Sequence, residues 1–163
     1  MKKWVIPAAC AAITAIVVGV VVLVPTEEDK VKKTVERFAK AVEPHPQANP
    51  AFELGRINDT FKDVLADHVE ISVPEIPQVP SDRKQLAALA MQGGARYGEV
   101  DIGISDVTVK LDEGKTTAQV DCTAELREKG GRARKDKRRV HFFLRNDDHW
   151  RIATIHVAGV DAE

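Results

Sequence analysis

Cysteine is scarce in this chain: there are two in 163 residues, Cys10 and Cys122. Cys10 falls in an apolar N-terminal stretch and Cys122 in a strand-like segment, so a disulfide between them would tie that stretch to the domain. A disulfide framework is thereby excluded, and Cys122 is expected to be a buried, inert thiol. An excess of charge of either sign is also missing. The chain has 24 Lys and Arg against 25 Asp and Glu, a formal −1. Lys2 and Lys3 are the only charged residues among the first 25, so the remainder carries 22 basic and 25 acidic side chains, a formal −3. This balance argues against a nucleic-acid partner. The histidines His45, His68, His141, His149 and His156 show no paired spacing beside acidic residues, so neither a metal set nor any other cofactor is expected.

What is present begins with one long hydrophobic run. Trp4 to Val24 holds no charged residue, and Ile13 to Val24 is nearly continuous Val, Ile and Ala. Its length matches the roughly 20 residues a helix needs to cross a bilayer core. Small residues that would mark a cleavage site are absent from Val22-Leu23-Val24. Cys10 precedes the apolar run, the reverse of a lipoprotein signal. Residues 1–25 are therefore expected to be an uncleaved signal-anchor, and residues 26–163 one soluble domain. Lys2 and Lys3 favour an inside N-terminus, whereas Lys30, Lys32, Lys33, Arg37 and Lys40 favour the reverse. Long domains translocate largely regardless of charge, so the short basic head decides: a single-pass protein of the cell membrane with its domain on the extracytoplasmic side.

Within the domain, Thr26 followed by Glu27-Glu28-Asp29 predicts a capped helix start, and Val31, Val35, Phe38 and Val42 continue it at helical spacing. Glu43 to Gly55, with three prolines and a glycine, reads as a loop. A second helix is expected from about Ile57 to Asp67, then a strand through Val69, Ile71 and Val73. Ser81 or Asp82 caps a third helix, which Gly93-Gly94 should stop. Four antiparallel strands follow. Val100, Ile102 and Ile104 alternate, and the phase shifts at Ser105-Asp106 as in a β-bulge. Asp112 to Lys115 makes a hairpin turn. The inward rows are Ala118, Val120, Cys122, Ala124 and Leu126, then Val140, Phe142 and Leu144, then Trp150, Ile152, Thr154 and His156.

This α+β order, with Asn146-Asp147-Asp148-His149-Trp150-Arg151-Ile152 near the end, resembles the NTF2-like (SnoaL-like, cystatin-like) superfamily over roughly Glu27 to Val157. The resemblance implies a strongly bent antiparallel sheet wrapped around about three helices to form an open-ended cone. It also implies a mixed range of roles, from ketosteroid isomerases, dehydratases and cyclases to domains that only mediate assembly, so the fold alone does not assign one.

Three residues are candidates for chemistry in such a cone. Asp121 could act as a general base if the cone opens on its face, against the alternative of a solvated sheet face. His156, placed inward by period two, could be a pocket acid or base, or a core-edge histidine. Tyr97, the only tyrosine, could donate to a ligand oxygen at the mouth, or simply pack. His141 shares a face with Phe143 and Arg145, which suits an aromatic cluster or a homo-oligomer surface.

The densest feature is basic. Eight of the thirteen positions from Arg127 to Arg139 are Lys or Arg, with Gly130-Gly131 at a hairpin tip. Arg132, Arg134, Lys135, Lys137, Arg138 and Arg139 are expected to bind a protein partner or an anionic surface. The alternative is a charged hairpin kept soluble and partly paired by Glu128 and Asp136. No aromatic side chains are interleaved to stack bases. The expected function is a non-catalytic binding or assembly module, a subunit of a bacterial envelope complex. Its rival is a small-molecule enzyme or ligand carrier of ketosteroid-isomerase type. A cone filled by Phe142, Trp150 and Met91 would favour the first; Asp121, Tyr97 and His156 converging in an open cavity would favour the second.

Overall fold

The computed structural model describes residues 25–45, 48–97, 100–128 and 135–158. Helix α1, Glu27–Val42, opens on a reciprocal cap. The Thr26 hydroxyl accepts from the Asp29 backbone N–H at 3.2 Å, and the Asp29 carboxylate accepts from the Thr26 N–H at 3.0 Å. Its Val31, Val35 and Ala39 are buried, with Phe38 packed beside them.

Helix α2, Pro50–Val64, starts seven residues before the expected Ile57. Its prolines suggested a loop, but Pro50 occupies the first helical turn, where its missing N–H removes no bond. Asn49 is the cap, accepting from the Ala51 N–H at 2.9 Å. The helix ends at Val64 rather than Asp67 because Leu65 already pairs with Ile152 in the sheet. Strand β1, Leu65–Ser72, thus lies parallel to the last strand, with an irregular register between Leu65 and Glu70. Asp82 caps helix α3, Arg83–Tyr97, accepting from the Lys84 and Gln85 N–H groups at 2.9 and 3.1 Å. The helix continues through Gly93-Gly94 instead of stopping there. Glycine in a helix costs about 1 kcal/mol without forbidding it, and Leu86 and Ala87 anchor the preceding turns in the core.

Strands β2 (Val100–Leu111), β3 (Thr117–Glu128), β4 (Lys135–Asn146) and β5 (Trp150–Val157) form the antiparallel part of a curved sheet of order β1-β5-β4-β3-β2. The predicted bulge in β2 is present between Ser105 and Thr108, with Asp106 at φ 54°. In the predicted turn, the Asp112 carboxylate accepts from the Thr116 and Thr117 N–H groups, both at 2.7 Å. Lys115, rather than Gly114, takes the left-handed conformation there, at φ 52°.

A second bulge was not foreseen. Phe143 pairs with Thr154 and Leu144 with Ile152, which leaves Ala153 unpaired. One extra residue reverses the faces of everything after it. Trp150 and Ile152 point inward as expected, but Ile155 and Val157 continue the inner row, while His156 is exposed on the outside. The inner row of β3 also ends earlier than expected, since Leu126 is 43% exposed.

The three helices fill the concave side of the sheet. Phe61, Leu65, Leu144 and Ile152 are among the fully buried side chains. Phe38 stacks on Phe61 at 5.8 Å between ring centres and meets Phe142 edge-on at 6.1 Å. Among the described residues no helix is long and apolar enough to cross a membrane; the expected anchor, apart from Pro25, lies outside them.

Candidate functional site on the outer face of the sheet

The concave interior holds the core. Phe142 and Trp150 are buried in it and Met91 packs against it. Cys122 joins them as a buried free thiol, and burial pushes its pKa up to about 11, with the Asp121 charge adding to the effect. The polar side chains with chemical potential lie on the opposite face.

There, sheet register aligns one residue from each strand: Thr108 opposite Asp121, Asp121 opposite His141, His141 opposite His156, and His156 opposite Ser72. Directly opposite residues share a face, so this row crosses the whole sheet. The Asp121 carboxylate hydrogen-bonds His141 Nδ1. An ionised carboxylate only accepts, so Nδ1 carries the proton and Nε2 of a neutral His141 turns its lone pair outward. The His141 and His156 rings lie 6.1 Å apart, tilted by 32°. Both imidazoles are exposed. Asp121 and His156 therefore do come together, through His141, but on the open sheet face and not in a cavity. Tyr97 closes α3, and its side chain lies outside the described set. Among the described residues no group of three or more His, Cys, Asp or Glu side chains is arranged to hold a metal ion.

The base of the basic hairpin is largely paired internally. Arg127 donates twice to Glu125 at 3.0 Å, and Lys137 lies 4.0 Å from the same carboxylate. Arg138 is bound by Glu75 at 2.6 Å and Asp136 at 3.2 Å, and Glu75 is held below its ordinary pKa chiefly by that hydrogen bond. Arg139 is exposed on the same face as His141, and no ion pair to a described residue holds it. Arg132 and Arg134 lie outside the described residues, as does the Lys135 side chain.

Two clefts lined by described residues open on the surface. One, of about 570 Å³, lies between α2, β1 and α3, lined in part by Leu54, Asn58, His68 and Ala88. Arg83 spans its floor, donating to the Lys62 and Leu65 carbonyls at 3.2 and 3.3 Å and pairing with Asp67. The other, of about 360 Å³, lies where α1 meets the β4–β5 turn. Its lining includes the Glu27–Lys30 and Arg37–Asp63 ion pairs and the Trp150 indole N–H, which donates to Glu27 at 2.8 Å.

Three helices on a bent sheet of this order define the NTF2-like, cystatin-like fold. Solved structures bear this out. An NTF2-like protein of cystatin-like fold from Novosphingobium aromaticivorans matches with a TM-score of 0.63 at 13% identity, over 100% of this chain and 94% of that one. A protein named as a dehydratase of the NTF2-like family, from Streptomyces avermitilis, matches with a TM-score of 0.62 at 18% identity, over 82% and 96%. One named as a ketosteroid isomerase, from Shewanella frigidimarina, matches with a TM-score of 0.59 at 14% identity, over 81% and 97%. At such identities the likeness is one of fold. No protein-family model and no curated protein matches the sequence.

Proposed function

We propose that this chain is a non-catalytic binding or assembly module of NTF2-like fold. It is tethered to the membrane by residues 1–25 and presents the outer face of its sheet, with the adjoining basic hairpin, to a partner in an extracytoplasmic complex. The carrying observation is the packing of the concave side. Phe61, Phe142 and Trp150 are buried there with Phe38 packed against them, while polar and basic groups collect outside.

The internal pairs refine which basic residues are available. Arg138 is committed to Glu75 and Asp136, whereas no ion pair to a described residue holds Arg139; Arg139 and the hairpin residues Arg132, Arg134 and Lys135 are the contacts assigned to the partner in this reading. Changing these four to Ser in the full chain, extracted in mild detergent, should abolish co-purification of its partner. Unchanged co-purification would remove the hairpin from the proposal.

A second reading, an enzyme or ligand carrier, draws on the neighbours named as a dehydratase and a ketosteroid isomerase, and on the hydrogen-bonded Asp121–His141 pair. In that reading the pair is the general base. Native mass spectrometry of the purified full chain separates the two: a stoichiometric small molecule released on unfolding supports the second and counts against the first.

A further inference from the structure

The polar row on the outer face contains one arrangement whose chemistry differs from that of the basic contacts proposed for a partner. We propose that His141 and His156 form a two-imidazole site for a divalent transition-metal ion of the copper(II) class, with Asp121 as the positioning residue behind His141. Three observations carry this. The two histidines are direct cross-strand partners of β4 and β5, so their side chains leave the sheet side by side. Their ring centres are 6.1 Å apart. Nitrogen–metal bonds of about 2.0–2.1 Å put ring centres roughly 4.5 Å apart for neighbouring positions of a tetragonal site and roughly 6.4 Å apart for opposite ones, so the observed spacing lies between the two and a side-chain adjustment of the exposed rings brings both nitrogens onto one ion. Finally, the Nδ1–H of His141 donates to the Asp121 carboxylate, which leaves Nε2 as the ligand atom. A carboxylate behind a ligating imidazole is the usual second partner in metal sites, and it raises the basicity of the ring.

The metal class follows from the ligand count. Two nitrogens from the protein leave the remaining positions to water or an added anion, a mixed N,O set that suits the tetragonal preference of copper(II) or nickel(II). Zinc in protein sites instead takes three or four protein ligands. Both rings are exposed, so an ion reaches them without any opening of the fold. Arg139 and Arg145 stand on the same face, two residues to the N-terminal side and four to the C-terminal side of His141. Their charge disfavours a bare cation and favours an anion as the outer ligand.

The test is copper(II) titration of the purified full chain, followed by isothermal calorimetry and electron paramagnetic resonance. The expected result is one ion per chain with coupling to two imidazole nitrogens. His141→Gln and His156→Gln should each lower affinity at least about 10-fold and reduce the coupling to one nitrogen, since each removes one of two ligands. Asp121→Ala should lower affinity by about 10- to 100-fold while the two-nitrogen pattern persists, and Asp121→Asn should restore part of the loss. Circular dichroism of each variant should match the parent, because all three side chains lie on the open face. His149→Gln should leave affinity and spectrum unchanged. A two-nitrogen signal that survives in the His141→Gln/His156→Gln double variant would overturn the proposal, as would its loss in His149→Gln.

Discussion

Replacing Phe142 with Ala tests whether the cone is a core or a pocket. Phe142 is 5% exposed and sits at the centre of the concave side, edge-on to Phe38, which in turn stacks on Phe61. If these rings are close-packed core, truncation removes the transfer free energy of the phenyl group and leaves a cavity that α1 and the sheet cannot collapse. Such changes cost about 3–5 kcal/mol, a large share of the roughly 5–15 kcal/mol that holds a domain together. At this size the melting temperature should fall by roughly 10–20 °C. Urea unfolding of the full chain in detergent, followed by circular dichroism, gives the free energy directly, with an unchanged slope confirming that the same surface is exposed. Phe52→Ala is the internal control, because Phe52 is 80% exposed and its loss should stay within about 0.5 kcal/mol. If Phe142→Ala costs less than about 1 kcal/mol with the slope unchanged, the interior is not close-packed. The argument from a filled cone then fails.

Other parts of the fold make separate predictions. Cys122, with its pKa pushed up to about 11 by burial, should resist iodoacetamide in the folded protein at pH 8 and react on unfolding, read by peptide mass spectrometry to distinguish it from Cys10. Its raised pKa also means that the unfolded chain ionises first, so this thiol subtracts stability as pH rises above the ordinary thiol value of about 8.5. Glu53 is held below its ordinary pKa, chiefly by its hydrogen bonds from Arg56, the shorter at 2.6 Å. A depressed carboxylate stabilises the fold above its unfolded pKa and loses that contribution as pH falls through the folded one. Glu53→Gln should therefore cost about 1–2 kcal/mol at pH 7, and its difference from the parent should shrink on acidification below the ordinary carboxylate range in paired urea titrations. Lys115→Gly should stabilise by about 0.5–1 kcal/mol, because Lys115 holds φ at 52° without the freedom of glycine; a lower melting point would show that the conformation is not strained.

Local chemistry made most of the fold legible. The Thr26–Asp29 cap, the β2 bulge at Asp106 and the Asp112–Lys115 turn were all readable, because each is decided by residues within a few positions of one another. The start of α2 was misread because the same proline serves a loop or a first helical turn, and only Asn49 distinguishes the two. The parallel pairing of β1 with β5 joins residues more than eighty apart, beyond any local pattern. The candidate site failed for the same reason. Asp121, His141 and His156 were each visible as isolated polar residues, but their alignment depends on two registers. One is set through a hairpin whose connection is the basic stretch around Gly130-Gly131. The other depends on Ala153, and nothing in Ile152-Ala153-Thr154 marks a bulge.

The unpaired Ala153 also bears on how a chain of this kind could change its role. It acts as a reading-frame offset within one strand: everything after it is presented to the opposite side of the sheet. Deleting that single residue would place Thr154 directly after Ile152, still opposite Phe143, so Ile155 would stay in the core and His156 on the open face. Drawing Ala153 into the ladder instead, by a one-residue slip of the strand end, would carry His156 toward the aromatic interior and Ile155 out to solvent. Within this architecture, the step between a chain that holds a partner and one that encloses a small molecule need not be a gradual remodelling of its core. It can begin with such a slip, followed by the trimming of Phe142 to make room.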